Sequence, residues 1–487
     1  MRDSFKRGIT YTFLSQLISV VLLFAAFAIA ARLVSETDLG TFVLLFVAAQ
    51  FLTTVSDFGM TNTIVRFLSA EKREQQEIAS TAFGFSFVVG LAISVLIYFV
   101  GGLLFPAMGL GVLGELAGAV SLLFFFQYFL GRISAFLQGL HFYKRYAYVQ
   151  ILGPLSRLLL ILLLVGFLSM GLKGLIIAAI ASSLLSCLLG YMLLPWNVVP
   201  RMNGEVVKRL LSFGIPLQIN ALLAFVFERA DIVLLGAMAG PVSVATYEVA
   251  YKLPHQVRGF VGAFISVFLP QLSEYYGRGN MGEAEVLLRK ALRLASFVAA
   301  GTALMALLYN REIITLIFSS KYAGGGPVFA VLMLGVSIGL CNWLMATALI
   351  AQGRPKATLV TTIPEALVNV GLNVVLIPRL GIMGAALASA ISRTLVNPIF
   401  LFLLGRKSRI LAMWSYIRSY ISLGICCMLA VVVEPYLFWR KGMILLVFLA
   451  LVMSMKVLLW SDIETLLRLS LPSKPGAPTD VPYAPEQ

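Results

Sequence analysis

The sequence predicts an all-α integral membrane protein of about fourteen transmembrane helices, built from two repeated halves. Three observations predict it. Hydrophobic residues fill 60% of 487 positions and charged residues 12%, against about 45–50% and about 25% in soluble domains, which excludes a string of soluble domains. Apolar stretches near the roughly 20 residues that cross a bilayer recur along the whole chain. The second half also echoes the first. Phe5-Lys6-Arg7-Gly8 before a long apolar run, Thr37-Asp38-Leu39-Gly40-Thr41-Phe42, and a helix ending Arg66-Phe67-Leu68-Ser69 return as Val207-Lys208-Arg209, Val244-Ala245-Thr246-Tyr247 and a helix ending Pro270-Gln271-Leu272-Ser273. Gln138-Gly139 returns as Gln352-Gly353, and Gly171-Leu172-Lys173-Gly174 as Gly381-Ile382-Met383-Gly384. The Ser69/Ser273 and Gln138/Gln352 pairs bracket the offset between 204 and 214 residues. Duplicated bundles around a central cavity are a transporter architecture.

Taken in order, the expected spans of the first half are 10–33, 39–60, 79–105, 113–138, 146–168 and 173–196. The first apolar run, Ile9 to Ala31, is too long for a signal peptide and is followed by Arg32 and Ser35-Glu36 rather than by a cleavage site. The second span closes at Asp57-Phe58-Gly59, where a helix-terminal carboxylate is unremarkable. The fourth carries Phe124-Phe125-Phe126-Gln127-Tyr128-Phe129, an aromatic run expected to face lipid. The segment Arg201 to Leu211 is amphipathic and expected to lie on the membrane surface as a linker. The second half follows with 213–236, 242–269, 290–310, 326–351, 358–378 and 383–404, then 415–434 and 441–460. Pro254 is expected to kink the eighth span, and Tyr275 to Asn280 reads as an exposed turn. Ser461-Asp462-Ile463-Glu464 has capping-box chemistry for a short helix, and five prolines from Pro472 onward exclude regular structure in the tail.

The excess of 37 basic over 22 acidic residues is a topology signal rather than a nucleic-acid footprint. With the N-terminus inside, 23 of the 37 Lys and Arg fall in inner segments and 7 in outer loops. That bias places both termini in the cytoplasm. Cys187, Cys341, Cys426 and Cys427 lie in apolar spans without CxxC spacing, and His141 and His255 are the only histidines, so neither a disulfide framework nor a metal site is supported. No phosphate-cradling GxxxxGK[ST] loop is present, which disfavours ATP-driven pumping, and no cofactor is indicated.

Charge inside the bilayer is costly unless paired or hydrated, so the intramembrane charges are the candidate site. Span seven carries Glu228, Arg229 and Asp231; span eight carries Glu248, Lys252, His255 and Arg258. Glu248, Lys252 and His255 follow i, i+4, i+7 and share a helical face. Two readings stand side by side: a hydrated cavity that takes an anionic substrate, and a structural ion-pair cluster locking the two spans. Arg132, Arg157 and Arg393 are lone cations deep in spans four, five and twelve, and Glu365 beside Pro364 is placed to neutralise one of them.

Residues Pro378-Arg379-Leu380-Gly381-Ile382-Met383-Gly384-Ala385-Ala386-Leu387-Ala388 resemble a stretch of polysaccharide-biosynthesis membrane proteins, the flippases of lipid-linked oligosaccharides such as O-antigen. So do Arg32 to Phe42 with Asp57-Phe58-Gly59-Met60, and Asp231-Ile232-Val233-Leu234-Leu235-Gly236 with Thr246-Tyr247-Glu248-Val249-Ala250. The resemblance covers about residues 5–460 and implies the multidrug/oligosaccharidyl-lipid/polysaccharide exporter fold. That is an N-lobe of six spans (1–200), the linker 201–212, a C-lobe of six spans (213–404), two further spans (405–460) and a cytoplasmic tail (461–487). It implies a central cavity lined by spans one, two, seven and eight. There Arg229, Lys252, Arg258, Arg32 and Arg66 are candidates to face the diphosphate of an undecaprenyl-linked glycan, with Glu228, Asp231 and Glu248 as their charge partners. The implied activity is lipid-linked glycan flipping by alternating access in a bacterial or archaeal plasma membrane, for O-antigen, lipopolysaccharide or exopolysaccharide synthesis. The implied partners are the glycan lipid, membrane lipid and a coupling proton or cation. The acids offsetting those cations leave room for salt-bridge switching or proton coupling. A drug or cation antiporter of the same superfamily is the alternative, a class that wants net-negative cavity residues where this chain adds Arg132, Arg157 and Arg393. A membrane-embedded glycan transferase is the rival of a different class.

Overall fold

The computed structural model describes residues 2–71, 73–195, 200–354, 356–404, 406–432 and 438–454. Every regular element among them is helical. In order these are α1 (Arg2–Leu33), α2 (Glu36–Val55), α3 (Met60–Ala70), α4 (Gln75–Ala107), α5 (Ala117–Gly139), α6 (Tyr143–Ile161), α7 (Gly171–Met192), α8 (Gly204–Gly277), α9 (Met281–Ile317), α10 (Gly326–Ala351), α11 (Lys356–Leu380), α12 (Ile382–Leu403), α13 (Arg406–Val432) and α14 (Phe438–Ser454). Among the described residues twelve helical stretches are long and apolar enough to cross a membrane. Where spans thirteen and fourteen are expected, the apolar helical stretches are shorter, 417–429 and 441–452. The expected tail lies outside the described residues.

Local chemistry sets the helix boundaries. Ser35 Oγ accepts from Asp38 N at 3.1 Å, and Glu36 and Asp38 sit in the first turn of α2. That is an N-cap with acids at the positive end of the helix dipole. The second expected span breaks at 56–59, because Phe58 (φ 49) and Gly59 (φ 71) adopt left-handed backbone, and α3 restarts beyond. Spans seven and eight are two limbs of α8 joined at Gly240, whose φ 78 and ψ 177 are open only to glycine. Pro254 leaves the helical dihedrals of the second limb unbroken. The expected linker is not a separate surface helix: from Gly204 it runs straight into the first limb, with Val206 and Leu210 buried.

The internal echo has a structural counterpart. Gly171 (φ 53) and Gly381 (φ 57) both open their helices in left-handed conformation. Both partner glycines are pressed against the preceding helix: an added Cβ would lie 3.0 Å from Val165 Cγ2 at Gly174 and 2.3 Å from Leu376 O at Gly384. The other echo is looser. Gly353 is left-handed (φ 75), whereas in the first copy His141 takes that conformation (φ 61) two residues past Gly139.

The aromatic run of span four corrects the lipid-facing expectation. Phe124, Tyr128 and Phe129 are buried, and Phe83 meets Phe129 edge-on at 5.7 Å between ring centroids. Their apolar area is spent inside the lobe, against α4. In the turn after α8, Arg278, Gly279 and Asn280 are exposed, while Tyr275 and Tyr276 pack on an apolar cluster.

Two compact units emerge. One holds the chain through Lys252 together with Arg311–Val328 and Val368–Ala388; the other holds Leu253–Asn310, Phe329–Leu367 and the chain from Ser389. In the first, the α2–α3 segment meets α8 backbone to backbone, Gly59 at the break against the first limb and Gly40 of α2 against the start of the second. An added Cβ on Gly59 would lie 1.9 Å from Gly214 O, and one on Gly40 would lie 1.8 Å from Pro241 O. In the second, Ile265, Phe268 and Leu272 form a core with Leu288, Met345 and Phe400.

Candidate functional site

The charges of spans seven and eight are coupled through Arg229, on which Glu248, Asp231 and Glu228 all act. Glu248, 5% exposed, stands between two cations: Arg229 Nη1 lies 3.5 Å from Oε2 and Lys252 Nζ 3.2 Å from Oε1. The i, i+4 spacing on the second limb of α8 delivers Lys252, and Arg229 comes from the first limb. Lys252 also sits 4.4 Å above the ring of Phe27 on α1. One buried carboxylate is thus shared by two partly exposed cations, and Asp231 and Glu228 also act electrostatically on Arg229, in a low-dielectric setting where such interactions strengthen. Asp231 acts electrostatically on Arg229 and Glu248 but makes its hydrogen bonds elsewhere: it is buried and accepts from the Tyr247 hydroxyl and from Ile232 N, the latter at 2.8 Å. Tyr247 stacks on Tyr251 with an interplanar angle of 9°. Glu228 is partly buried on the first limb.

Arg258 belongs to the second compact unit. It acts electrostatically on Glu365, which also lies 4.0 Å from Arg393 Nε. Again one carboxylate stands among two cations. Arg393 is further fixed by its own backbone, since Asn342 Nδ2 donates to its carbonyl at 3.0 Å.

Arg32 and Arg66 are placed differently. Arg32 donates through Nε to Ile317 O at 3.0 Å and through Nη2 to Leu316 O, so it caps the carbonyl end of α9. Lys321 donates in return to the Arg32 and Val34 carbonyls at the end of α1. Each cation serves the other helix's negative dipole end, a reciprocal clasp. Arg66 is exposed, with its guanidinium 4.0 Å from the ring centroid of Phe213.

Three features escaped the sequence reading. Asp57 and Arg132, read separately, form one buried pair: Arg132 Nη1 donates to Asp57 Oδ1 at 2.6 Å and to Thr61 Oγ1 at 2.9 Å. The guanidinium also lies 4.4 Å from the Tyr128 ring centroid. The i, i+4 relation of Asp57 to Thr61 was a legible signal; their distance of about seventy residues from Arg132 hid the rest. Gln218 is the second feature. It donates to Thr54 O at 2.5 Å and accepts from Gly59 N at 2.9 Å, clasping both sides of the break in span two. The third is Arg209, which pairs with Glu71 and Glu74 at 2.8 and 3.0 Å. Among the described residues no group of three His, Cys, Asp or Glu side chains could hold a metal ion.

Comparison with known proteins bears on the fold and the family. The structure aligns over 94% of its length with the lipid II flippase MurJ in an inward closed conformation, covering all of that chain, at TM-score 0.72 and 16% identity. A multidrug resistance MATE family transporter in its inward-facing conformation aligns over 86% of this chain and 98% of its own, at TM-score 0.64 and 17% identity. These likenesses establish the fold. Sequence relatives include the probable low-salt glycan biosynthesis flippase Agl15 of Haloferax volcanii, 22% identical over 36% of this chain and 37% of its own length. Another is the capsular polysaccharide biosynthesis protein CapF of Staphylococcus aureus, 23% identical over 41% of this chain and 50% of its own. The chain spans about half or less of the length of these curated relatives. The polysaccharide biosynthesis protein family matches residues 29–325, more than half of the 487. The chain belongs to the polysaccharide biosynthesis protein family.

Proposed function

We propose that this protein flips an undecaprenyl-diphosphate-linked oligosaccharide from the inner to the outer leaflet of a bacterial or archaeal plasma membrane, by alternating access and with both termini cytoplasmic. The observation that carries the reading is the Arg229–Glu248–Lys252 triad, in which two partly exposed cations from the two limbs of α8 share one buried carboxylate. A diphosphate entering there exchanges one shared carboxylate for several oxyanion acceptors, each able to take a charge-assisted hydrogen bond. Glu248 then acts as the resident anion that holds the cations in place between cycles. Membership of a polysaccharide biosynthesis family supports a glycan-bearing lipid as cargo, and the dominance of basic residues in alternate loops supports the orientation. Arg258, which acts on Glu365 in the second compact unit, is a further candidate for an anionic headgroup. Arg32 and Arg66 enter as candidates only once their present contacts to carbonyls and to Phe213 open.

A second reading, a drug or cation antiporter, draws on the buried carboxylates Asp231 and Glu248 and would use them as cation or proton sites. Proteoliposomes separate the two. Wild type is expected to move a fluorescent undecaprenyl-diphosphate-linked glycan between leaflets, and Lys252→Ala to lose that movement at normal protein level. Efflux of an organic cation without glycan movement would assign the antiporter instead. Imposed proton and sodium gradients in the same vesicles identify the coupling ion.

A further inference from the structure

Among the described residues no carboxylate pairs with Arg157 on α6. Among the described residues its side chain makes one hydrogen bond, Nε to Ser182 Oγ of α7 at 3.3 Å, and its guanidinium lies 5.2 Å from the Phe46 ring centroid on α2. Its two Nη groups, four N–H donors, meet no acceptor among the described residues, and they are not sealed from open space. Ser182 is already committed, donating to Ala179 O at 3.0 Å. One helical turn further from the Arg32 end, the polar character continues. Ser186 Oγ is fully buried without a hydrogen-bond partner. It faces Gly153 of α6, where an added Cβ would lie 2.8 Å from it. Gln50 Oε1 of α2 is likewise buried without a partner.

Chain direction places these residues in two matched layers. α2 and α7 both start at the Arg32 end: Gly171 at the head of α7 lies against Asp38 in the first turn of α2. At about 1.5 Å per residue, Phe46, Arg157 and Ser182 sit about 15–17 Å from that end, and Gln50, Gly153 and Ser186 about 21–23 Å from it. Two helices of the first unit and a ring from a third thus surround the Arg157 guanidinium, which touches Ser182 and Phe46. The orphan Ser186 hydroxyl lies against Gly153, and the orphan Gln50 amide oxygen lies at the same depth on α2. Buried polar groups in native structures are hydrogen-bonded, and a cation in a spanning helix marks a substrate path by default.

We propose that this is an oxyanion-binding subsite inside the first six spans, for an acidic group borne by the transported glycan lipid, either a sugar carboxylate or a phosphate. Arg157 takes the oxyanion through its Nη groups, and Phe46 gives an apolar ring face beside it. The inference rests on the flippase reading for the identity of its cargo, but its test does not involve transport.

Purified full-length protein is heated in detergent with sodium glucuronate, sodium pyrophosphate, glucose, or sodium chloride at matched ionic strength, and its melting temperature is recorded. Glucuronate, pyrophosphate or both are expected to raise the melting temperature of the wild type above chloride. A response to glucuronate alone assigns a sugar acid, and one to pyrophosphate alone assigns the carrier diphosphate. In Arg157→Gln the apparent affinity is expected to fall about 10- to 100-fold, as for loss of a charged hydrogen bond, while Arg229→Gln keeps the Arg157-dependent response. Ser182→Asp provides a second test, because it supplies a carboxylate from within the chain. It is expected to raise the melting temperature without ligand and to abolish the anion response. No response above chloride in the wild type, or an undiminished response in Arg157→Gln, overturns the subsite. Glycan movement that persists without any anion response removes the subsite alone. An anion response in a protein that moves no glycan removes the flippase reading alone.

Discussion

The Asp57–Arg132 pair yields a prediction whose asymmetry follows from burial. Arg132 is 1% exposed and Asp57 19%, so the two deletions leave different remnants. Asp57→Ala strands a fully buried guanidinium with only Thr61, the Asp57 carbonyl and the Tyr128 ring for company. Leaving one buried charge without its partner costs about 3–5 kcal/mol. Arg132→Met leaves a carboxylate that still accepts from Thr61 Oγ1 at 2.6 Å and Thr61 N at 3.4 Å and reaches solvent, so the cost is about 1–3 kcal/mol. The double variant leaves no stranded charge and is expected to be less destabilised than the sum, with a coupling of about 1–3 kcal/mol. Unfolding titrations of the four proteins in mixed micelles measure all three quantities. Arg132→Met costing as much as Asp57→Ala, or strictly additive costs in the double variant, would refute the reasoning.

Other outcomes follow from particular contacts. Gly59→Ala is expected to deplete folded protein, because the new Cβ meets the Gly214 carbonyl at 1.9 Å and the backbone is left-handed; Gly371→Ala, which meets nothing within 4 Å, is expected to be neutral by the same abundance assay. Cysteines replacing Met108 and Val242, both exposed, are expected to react with an impermeant reagent from outside intact cells, and one replacing Gln75 is not; the reverse labelling would invert the proposed orientation. Glu248→Gln is expected to stop glycan movement in vesicles at near-normal protein level if the carboxylate is a resident counter-anion; a loss of protein restored by also replacing Lys252 would make the triad structural. Arg32→Ala and Lys321→Ala are expected to show equal effects on transport and no further loss when combined, since each cation serves the same clasp.

Much of the architecture was written in the composition. An apolar fraction of 60% in runs near bilayer length leaves the backbone no choice but helix, because in lipid every N–H and C=O must be satisfied within the segment. The glycines that echo at Gly171 and Gly381 fixed the same left-handed helix start in both halves, since that conformation is cheap only without a Cβ. Adjacency in sequence also sufficed for Glu248 and Lys252, whose four-residue spacing guarantees a shared helical face. Partnership between helices was another matter. Asp57 found Arg132, Gln218 found the broken end of α2, and Arg32 found carbonyls near residue 317, all across separations where no periodicity carries information. The aromatic run at 124–129 was misread for the same reason: hydrophobicity says that a ring avoids water, but in a membrane protein lipid and protein interior satisfy that equally. Which of the two a ring meets, and which cation keeps a carboxylate while Arg157 meets none among the described residues, was decided by packing alone.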